Sequence, residues 1–335
     1  MTASVAGLVL LTGATGFIGS CLAQRLLAEG RPLRLLVRDP ERLAAPLRGV
    51  EWVRADLRDP TSLVAAVRGV DTVYHLAANV RTWDRRAEYW ADNVAGLRHL
   101  LAALRQEAPG LRRFVHLSSV DVYGFPQTPC TEECPLQSAG FGYGDSKIAA
   151  EALLREATQD WHLPQVILRP TNVMGPQSPF VERVGQELRG GLMLRIDGGA
   201  VDAGFLDIEH LVDVLLWAAD TPGLEGEVFN VNGAESINWR QFLDDLRGGI
   251  AGRGRIIDLP FALADGLARA VALPYAALGW RREPLLHPLI VRIFGRTCGH
   301  SAAKLRRFGA PAAQRGYDEV MAASVAWLRA QLGAA

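Results

Sequence analysis

The sequence predicts an α/β protein: a doubly wound parallel sheet followed by a smaller, mostly helical region. Three observations carry the prediction. Short apolar strands alternate with helical stretches from residue 7 to about 170, which reads as successive βαβ units. A glycine-rich turn joins the first strand to the first helix. Beyond Pro170 the alternation loosens into longer helical segments. The expected division is 1–172 for the sheet domain, with strands returning at about 205–232, and 173–204 plus 233–335 for the smaller subdomain.

The first strand is the apolar run from Gly7 to Thr12, which enters Gly13-Ala14-Thr15-Gly16-Phe17-Ile18-Gly19. Apolar residues at 18, 22, 26 and 27 then recur at helical spacing, and Gly30 stands where a C-terminal cap belongs. Strand, glycine turn and helix in this order form the context of a dinucleotide site, so the sheet is expected to be Rossmann-type. Gly13 permits the tight turn, Gly16 lets the backbone approach a pyrophosphate, and Gly19 lets the helix pack closely on the strand. The helix N-terminus, with Thr15, Phe17 and Ile18 in the same turn, offers unpaired N–H groups and a positive dipole end to the phosphates.

The second strand, Leu33 to Val37, ends in Arg38-Asp39-Pro40. An NAD site commonly carries an acid here for the ribose 2′-hydroxyl. This chain has Val37 and then a guanidinium suited to a 2′-phosphate. Arg42 adds a second charge, while Asp39 offers an acid one position late, and any one of 34 arginines can be merely solvated. NADP(H) is expected over NAD(H).

Further strands are read at Val73–Leu76, Arg113–Leu117 and Gln165–Leu168. Lys147 is one of only two lysines and follows Tyr143 by four positions. On a helix that spacing stacks both side chains on one face. A neighbouring ammonium favours phenolate and lowers a pKa otherwise about 10. Tyr143 is therefore expected to act as a general acid/base near neutral pH.

The G-x-x-G-x-x-G turn, with Tyr143 and Lys147, resembles the extended short-chain dehydrogenases/reductases of the NAD-dependent epimerase/dehydratase superfamily, over nearly the whole chain. The resemblance implies several roles. In Ser118-Ser119-Val-Asp-Val-Tyr123-Gly124 the catalytic hydroxyl lies four residues before the Tyr-Gly pair, which selects Ser119 and leaves Ser118 to bond backbone. Asp56, followed by Leu57, matches the acid that binds the adenine amino group. Ala77 and Ala78 match small residues lining the cofactor channel. Asn93 matches a recurrent asparagine, read equally as an amide repairing helix backbone. Arg169-Pro170-Thr-Asn-Val173 resembles the segment cradling the carboxamide, through Pro170 and Val173. Ser119, Tyr143 and Lys147 then imply hydride transfer at a carbon bearing oxygen, with Lys147 bonding the nicotinamide ribose. A homodimer through helices at about 84–107 and 143–160 is also implied.

Composition excludes other classes. Lysine plus arginine equals aspartate plus glutamate, so there is no electrostatic case for a nucleic-acid partner. The histidines show no spacing with Cys or Asp that would cage a metal. Cysteines at 21, 130, 134 and 298 form no disulfide framework, and the chain opens on its first strand rather than on a leader. A cytoplasmic protein with free thiols is expected. Arginine in place of lysine reads as a GC-rich bacterial coding bias.

The segment from Ile256 to Phe294 is apolar, but Asp265, Arg269 and Pro274 interrupt it before the ~20 residues that a spanning helix needs. It reads as helices covering the cleft, or as a partly exposed lid admitting a lipophilic substrate from a membrane surface. Nucleotide-sugar members of the family usually carry an arginine where this chain has Gly204. Asp202 nearby would repel a diphosphate, although Arg195 could substitute.

The C-terminal third resembles the 3β-hydroxysteroid dehydrogenase and sterol 4α-carboxylate 3-dehydrogenase branch. The resemblance rests on Gly226-Glu-Val-Phe-Asn-Val-Asn-Gly233, Trp239-Arg-Gln-Phe242, the helices from Pro260, Ser301-Ala-Ala-Lys304, and the last helix near Trp327-Leu328. Val37-Arg38-Asp39-Pro40 resembles the dihydroflavonol-type reductases. Both resemblances imply a small hydrophobic substrate with a secondary alcohol or ketone. The alternatives are a nucleotide-sugar 4-epimerase or dehydratase holding NAD, and a non-catalytic dinucleotide sensor. The intact Ser119, Tyr143 and Lys147 weigh against the sensor.

Overall fold

The computed structural model describes residues 7–333 other than 281, 285, 297 and 298, so Cys298 lies outside the described residues. The strands are β1 (Leu8–Thr12), β2 (Leu33–Val37), β3 (Glu51–Arg54), β4 (Val70–His75), β5 (Arg113–Leu117), β6 (Gln165–Pro170), β7 (Asn172–Met174), β8 (Leu192–Ile196), β9 (Phe205–Asp207), β10 (Val228–Val231) and β11 (Arg255–Leu259). Seven of them form one parallel sheet in the order β10-β6-β5-β4-β1-β2-β3.

Both faces of this sheet are covered, so its central strands are buried along their length, polar residues such as Arg113, His116, Gln165 and Arg169 included. Every residue of β5 and of β6 is buried. Alternate residues serve opposite faces. Val9, Leu11, Val115 and Leu168 pack with the helices Phe17–Ala28 and Ile208–Asp220. Leu10, Val73, Phe114 and Ile167 pack with Gly96–Glu107 and Gly142–Trp161.

Strand order reverses at β1, which has β2 on one side and β4 on the other. The crevice beyond the carboxyl ends of these strands is where doubly wound sheets bind ligands. A buried contact ties the ends of β1 and β4 together: Thr12 Oγ1 lies 2.9 Å from His75 Nδ1 and accepts from the Ala77 N–H at 3.1 Å. Burial drives the His75 pKa down to about 3, with the charge of Lys147 adding to the effect.

The later strands depart from the expectation in one respect. β10 joins the sheet beside β6, as a returning strand should, but β9 pairs with β7 in a separate two-stranded sheet. The cause is Asn172, immediately past β6. Its N–H bonds the Gly204 carbonyl and its side-chain amide bonds the Ala203 carbonyl, capturing the incoming strand outside the main sheet. β8 and β11 form a second small sheet. A third apolar core, including Met174, Leu188, Trp239, Phe242 and Phe294, holds the C-terminal subdomain together.

Candidate active site

The glycine turn has the geometry of a phosphate cradle. Gly13 adopts φ +84°, and a Cβ there would stand 2.8 Å from the Ala77 nitrogen across the switch point. A Cβ on Gly19 would lie 2.2 Å from the Gly13 carbonyl oxygen, so the helix can sit this close to the turn only with glycine at that position. The helix Phe17–Ala28 starts at Gly16 with no side-chain cap and no acid in its first turn. Its leading N–H groups are thus left for an anion. Phe17 and Ile18 pack their side chains toward the core and contribute backbone only, while Thr15 is half-buried in the turn. These residues fit a dinucleotide pyrophosphate. Gly19→Ala must push the helix off the turn, a cost of about 1–3 kcal/mol. Dinucleotide affinity is expected to fall about tenfold or more in a fluorescence titration, and unchanged affinity would show that the turn tolerates a methyl group.

Around the crevice, Arg38 is exposed at the end of β2 and pairs with no carboxylate among the described residues. Asp39 turns its carboxylate away to accept from the Glu41 N–H. Asp56 spends one oxygen on the Arg58 N–H and stays half-buried. The Leu57 side chain enters the core beneath Gly96 and its carbonyl is bonded to His99, so a cofactor contact from this residue would fall to its backbone N–H. Ala77 and Ala78 are half-buried in the loop after β4, Pro170 ends β6, and Val173 is the middle residue of β7.

Asn93 is buried in a π-helical turn, Trp90–Ala95, and its amide is fully committed to protein. Its oxygen accepts from the Asn79 N–H, and its NH₂ donates to the Asn79 carbonyl and to Ser146 Oγ. It therefore clamps the loop after β4 to the helix carrying Tyr143, a positioning role rather than a cofactor contact.

Tyr143 and Lys147 occupy the first turns of the helix Gly142–Trp161, as their spacing predicts. Ser119 caps a short 3-10 turn, Val120–Tyr123, where β5 ends. One expectation is overturned. The Lys147 ammonium donates to the Leu117 carbonyl at 2.7 Å and stands 5.9 Å from the Tyr143 ring centroid. The phenol pKa is consequently not lowered. Burial raises it above its ordinary value, the Asp121 charge adds to this, and the Ser119 hydroxyl opposes it. Burial also draws Lys147 down to about 8, against the pull of Glu151 and Asp121.

Two acids escaped the sequence reading. Asp121 sits two residues after Ser119, donates its N–H to Ser119 Oγ at 3.1 Å, and lines the same cleft as Tyr143. Burial pushes its carboxyl up to about 6, with Lys147 opposing. The available signal was an acid inside the apolar Val120–Val122 run at a strand end. Glu151, one turn beyond Lys147, is fully buried. It accepts from Ser118 Oγ (2.7 Å), Arg169 Nε (2.9 Å) and Arg169 Nη2 (2.6 Å). Arg169 also donates to Tyr123 Oη, which donates to Asn230 Oδ1. Ser118 therefore bonds this carboxylate rather than backbone.

Asp121 gives a pH prediction. Its negative charge holds the phenol protonated, so Asp121→Asn is expected to shift the alkaline limb of alcohol oxidation to lower pH by about one unit. Its folded pKa exceeds the ordinary carboxylate value of 3.8. The wild-type fold therefore loses stability as pH rises from about 4 through about 6, and does not regain it above. The Asn variant should melt higher than wild type at neutral pH, by about 1–2 kcal/mol, with the difference gone at about pH 4. A parallel pair of pH–rate profiles and melting curves reads both effects. An unmoved alkaline limb would remove Asp121 from the chemistry.

The cleft beside Tyr143 is lined by Asp121, Phe125, Ala139, Phe141, Gly144 and Leu289. The Arg292 guanidinium lies about 6 Å from both phenylalanine rings, has no carboxylate partner among the described residues, and leaves its Nε buried and unbonded. Arg195 is not available as a diphosphate ligand, because Asp258 binds it at two 2.7 Å contacts and Asp244 adds a third. Among the described residues, no cluster of His, Cys, Asp and Glu could hold a metal.

A glycine-cradled switch point beside a Ser–Tyr–Lys constellation defines an NAD(P)-dependent enzyme of the oxidoreductase type. The chain belongs to the NAD dependent epimerase/dehydratase family, whose model matches residues 9–232, and within it to the extended short-chain dehydrogenases/reductases. It is 32% identical to the sterol demethylase protein B of Methylococcus capsulatus, over 96% of this chain and 98% of that protein. It is 28% identical to the 4-hydroxy-2-methyl-3-oxo-4-farnesyl-3,4-dihydroquinoline-1-oxide ketoreductase of Stigmatella aurantiaca, over 89% of each. The solved structure of MoeE5 in complex with UDP-glucose and NAD superposes with a TM-score of 0.78 at 25% identity, over 97% of this chain and 100% of that one.

Proposed function

We propose that this enzyme uses NADP(H) to interconvert a secondary alcohol and a ketone on a hydrophobic, sterol- or steroid-like skeleton, as a 3β-hydroxy/3-oxo pair. The observation that carries the reading is the apolar character of the small crevice that Tyr143 lines together with Phe125, Ala139, Phe141 and Leu289. The sterol-pathway and farnesylated-quinoline names of the two relatives support it. The exposed Arg38, with Asp39 turned away, supports NADP(H). Arg292, a cation beside the cleft's Phe125 and Phe141 rings without a carboxylate partner among the described residues, suits a substrate that also bears a carboxyl group. In a 4-carboxylated sterol, oxidising the 3-hydroxyl yields a β-keto acid that decarboxylates readily.

The bound dinucleotide supplies or accepts the hydride. Everything else falls to the chain. The Ser119 hydroxyl donates to the substrate oxygen. In reduction, Tyr143, held protonated by burial and Asp121, delivers its proton to that oxygen. The Lys147 ammonium, fixed on the Leu117 carbonyl, keeps a positive charge near the phenolate left behind. In oxidation the phenol must first lose its proton, so that direction is expected to favour alkaline pH. The same reading includes a homodimer through the helices Gly96–Glu107 and Gly142–Trp161, to be checked by light scattering.

A second reading, nucleotide-sugar epimerisation with retained NAD, is favoured by the likeness to MoeE5. The commitment of Arg195 to Asp258 and Asp244 weighs against it. Incubation with NADPH and a 3-ketosteroid separates the two. Loss of nicotinamide absorbance in proportion to alcohol formed is expected. An inert ketosteroid, together with epimerisation of UDP-glucose at constant cofactor absorbance, would replace the first reading by the second.

A further inference from the structure

The helix Phe261–Ala277 packs on the molecule through Phe261 at its start and one narrow stripe along its length. Its buried residues are Ala264, Ala268 and Ala272, one stripe of small side chains at i, i+4 and i+8. Of the larger side chains, Phe261 packs on the subdomain core and Tyr275 lies between Trp83 and Trp280, while the leucines and the valine point outward. Leu263, Leu267, Val271 and Leu273 on the helix, with Leu278 and Trp280 just after it, make up six of the twelve exposed large apolar side chains among the described residues. Leu273 is 67% exposed and Leu278 62%. A helix apolar nearly all round normally has something covering its second side.

The patch borders the catalytic cleft. The Trp83 indole N–H donates to the Trp280 carbonyl and Arg85 donates to the Gly279 carbonyl, while Thr82 Oγ1 bonds Glu283. These three residues belong to the loop that Asn93 clamps to the helix of Tyr143, and the exposed Val80 precedes them. On the other side the chain continues from Trp280 to Leu289 in the cleft wall.

The rim is basic. Arg81, Arg85, Arg269 and Arg282 are exposed around the apolar face, and of these Arg85 and Arg282 have no carboxylate partner among the described residues, while Arg81 and Arg269 pair with Asp84 and Asp265. The acids between them are engaged: Asp84 by Asn79 and Arg81, Asp265 by Arg269, and Glu283 by Thr82, Arg183 and His287. Two copies of such a face meeting each other would bring arginine against arginine. An anionic surface complements it. No helix among the described residues is long and apolar enough to cross a membrane, so the contact would be one that lies on the bilayer rather than through it.

We propose that residues 263–280, with Val80, rest on an anionic lipid bilayer, with the arginine rim at the headgroups and the cleft mouth beside the lipid. The use of this surface, collecting a lipophilic substrate without passage through water, rests on the proposed function; the docking itself does not.

The test is sedimentation of the full chain with phosphatidylcholine vesicles, with and without phosphatidylglycerol. Wild type is expected to pellet with the anionic vesicles about tenfold more than with the neutral ones, and less as salt rises. The double variant Leu267→Glu/Leu273→Glu changes only exposed side chains. It should lose about tenfold or more of that partitioning and keep wild-type dinucleotide affinity, which also reports its folding. The proposal fails if wild type stays in the supernatant with both vesicles, or if the double variant pellets equally well. It also fails if light scattering finds a wild-type dimer that the double variant splits, since a second copy then covers the face. None of these readouts involves turnover, so they stand or fall apart from the ketosteroid assay.

Discussion

Tyr143→Phe is expected to lower turnover by about 10³-fold or more while dinucleotide affinity stays within about twofold of wild type. In the proposed mechanism the phenol oxygen is the proton donor to the substrate oxygen, and removing it leaves Ser119 to polarise that oxygen without protonating it. The ring itself stays. Its packing at the start of the helix Gly142–Trp161, and the clamp from Asn93 through Ser146 to this helix, do not depend on the hydroxyl. Phenylalanine also removes a buried polar group, so thermal stability should hold or rise slightly. Single-turnover measurements with saturating reduced cofactor separate chemistry from binding. Turnover within tenfold of wild type would mean that another group, with Asp121 the first suspect, carries the proton.

Glu151→Gln is expected to be the most destabilising conservative change near the site. The carboxylate accepts from Ser118 and takes both arms of the Arg169 guanidinium in a fully buried setting. The amide is the same size, but it leaves Arg169 without its counter-charge and turns one acceptor into a donor facing donors. Breaking one side of a buried ion pair costs about 3–5 kcal/mol, which for a chain of this size lowers the melting temperature by roughly 10 °C. Ser118→Ala, which deletes one hydrogen bond of the same network, should cost about 1 kcal/mol. Activity should fall as well, because Glu151 opposes the loss of the Lys147 proton. A Gln variant melting within about 2 °C of wild type would show that the pair contributes no net stability.

Much of this was legible before any fold was available, because it is local. Gly13, Gly16 and Gly19 sit within one turn of chain, and Tyr143 and Lys147 within one turn of helix, so spacing alone reports their geometry. Where the reading erred, the missing contact was distant. The Leu117 carbonyl that takes the Lys147 ammonium is 30 residues away, and the Asn79 loop held by Asn93 depends on a π-helical turn that no periodicity announces. The partner of Ser118 is not the backbone but Glu151, 33 residues away on a helix that only the fold brings beside β5. β9 was placed in the main sheet because its apolar run is the same in either sheet; the amide of Asn172 decides which.

The sequence by itself determined the glycine turn, the order of strands and helices, and the Tyr143–Lys147 pair, since each follows from short-range spacing and backbone sterics, while Ser119 came from the family resemblance. Only the tertiary structure decided the protonation states. Whether Tyr143 stands as phenol or phenolate depends on how much water burial removes and on where the charges of Asp121 and Lys147 come to rest. Those are sums over neighbours that the sheet and its helices bring together from across the chain.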